Sequence, residues 1–189
     1  MQAMEVKPAR DQGRDSIVIE APIALVWELI SNSKALQDWG PPVREVTVLD
    51  YPEVLGSRRI IVAEMTATGA AIGRSASATA PGKRVARFLE RRIEHLEGRR
   101  IAYRIEEENM GMSRMITEVG FAMELFPLEE NRTRVEWTFL HNTRGLLGAL
   151  INPLFIRPQQ RRNRLAALAA LKSHAENLDA SGRQVGNGL

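Results

Sequence analysis

The sequence contains no cysteine. That excludes a disulfide framework, a thiolate nucleophile and any zinc or iron–sulfur site built on sulfur ligands, and it fits a reducing compartment. Histidine is almost as scarce. His95, His141 and His174 are scattered, no two at metal-ligand spacing, so neither a metal nor another cofactor is expected. Long hydrophobic runs are missing too. The longest apolar stretch, Leu146 to Ile156, is broken by Asn152 and Pro153 and falls short of the ~20 residues of a spanning helix. Residues 1–15 are polar and show no secretory pattern, so the expected location is the cytoplasm.

An excess of one charge is also absent. The net charge is +3 despite a pI near 9.7, and the arginines are interleaved with carboxylates along the chain. A dedicated nucleic-acid binder would gather them on one face beside stacking aromatics, so no nucleic-acid partner is expected. Recognised catalytic signatures are lacking. Gly73-Arg-Ser75-Ala-Ser77 has no closing glycine for a nucleophile elbow, and Gly82-Lys83 lacks the upstream glycine and following hydroxyl residue of a phosphate-binding loop.

What remains is the balance of an ordinary globular chain: 189 residues, 44% hydrophobic and 26% charged, enough for one domain with a real core. Residues 1–15 read as a flexible leader. Ser16 to Glu20 is a β-branched strand. Pro22 opens a helix through Ile30, and Ser33 is placed to cap a second short helix, Lys34 to Trp39. Val43 to Tyr51 and Ser57 to Ala63 read as strands. Residues 65–86, rich in Ala, Gly, Ser and Thr, read as a long link or hairpin. Arg87–Leu96, Arg100–Glu107, Arg114–Pro127 and Thr133–Asn142 follow as four strands joined by short turns, so neighbours should pair antiparallel.

After Thr143 the period becomes helical. Pro153 and Pro158 should kink or restart a helix running to Leu178, with Leu165, Leu168, Ala169 and Leu171 as its apolar stripe. Arg161, Arg162, Arg164 and Lys172 decorate the rest, and residues 179–189 read as a flexible tail. One helix cannot cover both faces of such a sheet. The economical α+β solution is a curved antiparallel sheet wrapped around that helix.

The segments SIVIEAPIALVWELISNSKALQDW (16–39), VREVTVLDYPEVLGSRRIIV (43–62), LERRIEHLEGRRIAYRI (89–105) and TRVEWTFLH (133–141), in this order and spacing, resemble the START-like, helix-grip superfamily. Within it they resemble the bacterial polyketide cyclase/dehydrase and lipid-transport group. The resemblance covers residues 16–178 and implies a helix-grip fold with two short helices after the first strand. It also implies an internal cavity for a small apolar or amphipathic, lipid- or polyketide-like ligand. One departure is the link at 65–86, about twenty residues longer than a hairpin connection needs; a cavity lid, an oligomer contact and a solvated loop are its readings.

Alternation predicts the cavity lining. Val135, Trp137, Phe139 and His141 share one face of the last strand. Val119, Phe121 and Met123 come from the strand before it, Tyr103 from the next, Trp39 from the short helix and Leu165 from the long one. These are the expected ligand-binding residues. If the chain is instead a cyclase or dehydratase, His141 and Tyr103 are the candidate acid/base groups. Arg59 and Arg104 could bind an acidic ligand group, but surface cross-strand salt bridges are the favoured reading. Leu146 to Ile156 followed by arginines has the make-up of an interfacial helix, but the favoured reading has the apolar part closing the cavity and the arginines solvated. The choice between monomer and homodimer stays open.

Overall fold

The computed structural model describes residues 11–66, 83–129 and 131–186. Strand β1 (Asp11–Ile19) is followed by helices α1 (Ile23–Ser31) and α2 (Leu36–Trp39). Six strands then run in sequence: β2 (Val43–Val48), β3 (Arg58–Thr66), β4 (Lys83–Leu96), β5 (Arg100–Glu108), β6 (Ile116–Leu128) and β7 (Arg132–Thr143). The chain closes with α3 (Gly145–Ile151), a π-helical turn (Asn152–Ile156) and the long α4 (Arg157–Gly186). All seven strands form one antiparallel sheet in the order β1-β7-β6-β5-β4-β3-β2.

From β2 to β7 each strand pairs with its neighbour in sequence. The exception is β1, which pairs with β7 from Asp11 opposite Leu140 to Ile19 opposite Thr133. This corrects the reading of residues 1–15 as leader: 11–15 belong to an edge strand, where polar side chains are tolerated because one edge and one face meet water. Likewise α4 runs to Gly186 rather than stopping at Leu178. Polarity alone does not end a helix that is already nucleated. Strands β3 and β4 extend into the expected link, pairing as far as Thr66 opposite Lys83, and the remainder of that link, 67–82, lies outside the described residues.

The sheet curves around α4. The principal core forms where Leu168, Leu171 and Ala175 of α4 meet Ile19, Val26, Ile30, Ile101, Leu125 and Val135. Polar ties fix the helix on β1: Lys172 Nζ donates to the Val18 carbonyl at 2.7 Å, and Arg164 Nη2 donates to Asp15 Oδ2 at 2.7 Å. Arg164 is therefore buried against β1, not part of a solvated arginine face. Proline acts as expected at the start of this region. The ladder is interrupted at Asn152-Pro153 by the π turn, and α4 restarts at Arg157.

Candidate functional site

Between the inner face of the sheet and the helices lies a cavity of about 180 Å³. The pleat supplies its walls at alternate positions: Arg59, Ile61 and Ala63 from β3, Phe88 and Glu90 from β4, Tyr103 from β5, Phe121 and Met123 from β6, and Trp137 from β7. Helix α4 contributes Ala167. Ile30, Leu36, Trp39 and the Gly40-Pro41-Pro42 turn close one end. Trp39 is fixed there by its Nε1 donating to the Leu29 carbonyl at 3.0 Å.

An aromatic series runs across this floor. The Tyr103 and Phe121 rings stand opposite in register with centroids 5.4 Å apart, and Phe121 and Trp137 are 5.5 Å apart. On the far side of Tyr103, the Arg59 guanidinium lies 3.7 Å over the ring, close enough for a cation–π contact. Gly120 allows the strands to meet here, since a Cβ on it would lie 2.5 Å from the Tyr103 carbonyl oxygen. The indole Nε1 of Trp137 is buried and has no hydrogen-bond acceptor among the described residues.

The charged part of the wall is a connected network. Arg59 and Glu90, opposite each other on β3 and β4, are 4% and 6% exposed and joined at 2.8 and 2.9 Å. Arg59 Nη1 also donates to Ser33 Oγ at 3.2 Å, and Ser33 Oγ in turn donates to Glu53. Arg92 completes the set. It donates to the Tyr103 hydroxyl from Nη2 at 2.7 Å and from Nε at 3.1 Å, to Glu53 Oε2 at 3.0 Å and to the Ser31 carbonyl at 2.7 Å. Burial opposes the charge on Arg59. Tyr103, Glu90 and Glu53 around it more than offset that, so its pKa is raised and it stays a cation. Arg92 itself lines a wider surface cleft of about 780 Å³, with Trp27, Tyr51, Glu53 and His95.

The expected site residues divide into two groups. Trp39, Tyr103, Phe121, Met123 and Trp137 line the cavity. Val135 belongs to the core beneath α4, while Val119 and Phe139 belong to a smaller cluster with Ile116. Leu165 is 40% exposed and borders a surface depression with Arg161 and Arg162. At that end of α4 the inward position falls to Ala167, two residues on and so about 200° around the helix.

His141 does not line the cavity either. It packs against Phe139 at 5.2 Å, and its Nε2 is hydrogen-bonded to Asn152 Oδ1 at 2.8 Å. Burial holds its pKa below the usual histidine range; the Asn152 bond works against that shift and the Arg157 charge adds to it. The structure thus separates the two candidate acid/base groups, with only Tyr103 at the cavity.

Sequence reasoning left the facing of Glu90 and Arg92 open for want of a strand register, and it missed the network roles of Ser33 and Glu53. Arg59 is a buried partner of Glu90, not half of a surface pair; Arg104 does reach Glu118 at 3.5 Å, with both side chains partly exposed. Ser33 makes no side-chain cap on α2, whose N-cap is Ala35, because its hydroxyl is engaged in the network. The available signal was the spacing Arg59-x-Ile61-x-Ala63 beside Phe88-x-Glu90-x-Arg92. Reading it required the β3–β4 register, which the long link hides. Among the described residues no group of three or more His, Asp or Glu is placed to hold a metal ion.

The architecture recurs in solved structures. The Zhui aromatase/cyclase of Streptomyces sp. R1128 superposes with a TM-score of 0.62 at 21% identity, over 87% of this chain and 92% of that one. A START superfamily protein of Mycobacterium smegmatis gives 0.60 at 15%, over 88% and 97%. The di-domain aromatase/cyclase BexL of the BE-7585A biosynthetic pathway gives 0.62 at 20%, over 88% of this chain and 46% of its own length. At these identities the likeness establishes the fold. No curated protein matches the sequence. The family model for "polyketide cyclase / dehydrase and lipid transport" matches residues 11–176, from the first strand well into the last helix, and the chain belongs to that family.

Proposed function

We propose that this chain binds a small, flat, mostly apolar molecule in its internal cavity, with an oxygen acceptor on the ligand meeting the polar part of the wall. The observation that carries this is the composition of the cavity. Its lining residues are apolar or aromatic except at the buried Arg59–Glu90 pair. A ligand carbonyl or hydroxyl beside Arg59 would meet a charged donor, the stronger kind of hydrogen bond. A cavity of ~150 Å³ accommodates benzene, so 180 Å³ suits a compact ring compound rather than a long chain.

The test is native purification, solvent extraction and mass spectrometry, together with a titration of 2-naphthol against naphthalene. A ring-bearing compound in stoichiometric amount, and tighter binding of the naphthol, are expected. No bound compound and no preference between the probes would overturn the reading.

One observation favours a second reading, cyclase or dehydratase chemistry in the same cavity. Tyr103 lines the cavity and its hydroxyl is held by Arg92, a positioned proton-transfer group of the kind such reactions use. Two aromatase/cyclases share the fold. With the extracted compound class as substrate, Tyr103→Phe should keep binding and lose turnover; undiminished turnover would remove this reading.

A further inference from the structure

The segment that joins the sheet to the long helix does not close the cavity. Gly148 pins α3 down, since a Cβ there would lie 2.5 Å from the Met115 carbonyl oxygen. Ile151 is buried, and Asn152 is buried and bonded to His141. With that face held, the opposite one is turned outward. Leu146 is 86% exposed, and Leu150, Leu154 and Phe155 are each more than half exposed. Their spacing places Leu146, Leu150 and Leu154 along one side of the helical run, and the π turn presents Phe155 next to them.

The segment that carries this patch is of one sign. From Trp137 to Ala175 the chain has no acidic residue, while Arg144, Arg157, Arg161, Arg162, Arg164 and Lys172 are basic. Asp15 on β1 answers Arg164 and, at 3.2 Å, Arg161. Arg162 is exposed, and a depression of about 500 Å³ beside the patch is walled by Arg14, Arg157, Arg161 and Arg162 as well as Asp15.

We infer that this face docks the protein onto an anionic phospholipid surface. Leu146, Leu150, Leu154 and Phe155 enter the headgroup–acyl boundary, and the arginines meet phosphate-bearing headgroups. Exposed leucines and a phenylalanine next to a predominantly basic rim match the two components of interfacial binding, buried apolar area and attraction to anionic lipid. A nucleic acid would use the charge but not the leucines, and a second copy of this chain would bring the same charge against itself. Among the described residues no helix is long and apolar enough to cross the membrane, so the contact is peripheral.

Flotation of the full chain tests this, with vesicles of phosphatidylcholine alone and with phosphatidylserine at about 30% of the lipid. The protein should float with the anionic vesicles, be released as salt rises, and stay behind with the neutral ones. Leu150→Ser/Leu154→Ser, and separately Arg162→Glu, should each weaken the association about tenfold or more with an unchanged melting temperature, since these positions are exposed. The cavity-filling variant Ala167→Leu should float like the parent chain, which keeps this inference separate from the ligand reading.

Flotation that ignores phosphatidylserine, or variants that float unchanged, would overturn it. So would a concentration-dependent dimer abolished by the leucine substitutions in a chain that binds no vesicles.

Discussion

Arg59 and Glu90 form a buried ion pair whose value lies in being complete. Removing one partner strands a charge in the cavity wall, whereas removing both leaves an apolar contact. Glu90→Leu alone should therefore destabilise the fold by about 3–5 kcal/mol, and Arg59→Met/Glu90→Leu should recover most of that loss, as read by urea denaturation. The double variant should also lose the preference for 2-naphthol. His141 gives a pH signature. In the unfolded chain it takes a proton near 6.5, and in the fold only at lower pH because it is buried. Between the two values the unfolded state binds more protons, so stability is full above about pH 6.5 and falls as pH drops toward the folded value. The urea midpoint should decline over that window, and His141→Gln should flatten the decline. An identical decline in the variant would assign it to other groups.

At the scale of elements, two contacts set where the helices lie. Gly148 brings α3 against the Met115 carbonyl. Gly148→Ala would force a Cβ into 2.5 Å contact with backbone, and a loss of about 1–3 kcal/mol is expected in thermal or urea unfolding. Asp15 fixes α4 on β1 through buried Arg164. Asp15→Ala leaves that guanidinium without its carboxylate and should cost about 3–5 kcal/mol, while Arg14→Ala next to it, at an exposed pair with Glu136, should cost under ~1 kcal/mol. The elements themselves were largely legible, because periods of 2 and 3.6 survive in β2 to β7 and in α4. The ends were not. Asp11 to Asp15 is polar and its partners, Trp137 to Leu140, lie more than a hundred residues away.

At the scale of the molecule, the cavity exists because a sheet wrapped around one helix leaves space where the helix presents only Ala167. Filling that space should stabilise the fold while abolishing its ligand. Ala167→Leu is expected to hold or raise the melting temperature and to eliminate 2-naphthol binding. A variant that binds the probe as well as the parent would place the ligand elsewhere, for instance in the outer cleft lined by Trp27 and His95.

The sequence by itself determined the strand and helix order, the antiparallel neighbours from β4 to β7 and the apolar alternation that put Tyr103, Phe121, Met123 and Trp137 on one face. These follow from local period and short turns, which the chain carries within a few residues of each position. Only the tertiary structure decided that β1 closes on β7, that Arg59 finds Glu90 and Arg92 finds Tyr103, and that Ala167 rather than Leu165 faces the cavity. Each of those depends on strand register or helix rotation. A shift of one residue reverses which side chains are buried, and the quantity that selects the shift is long-range packing and pairing, which no local segment contains.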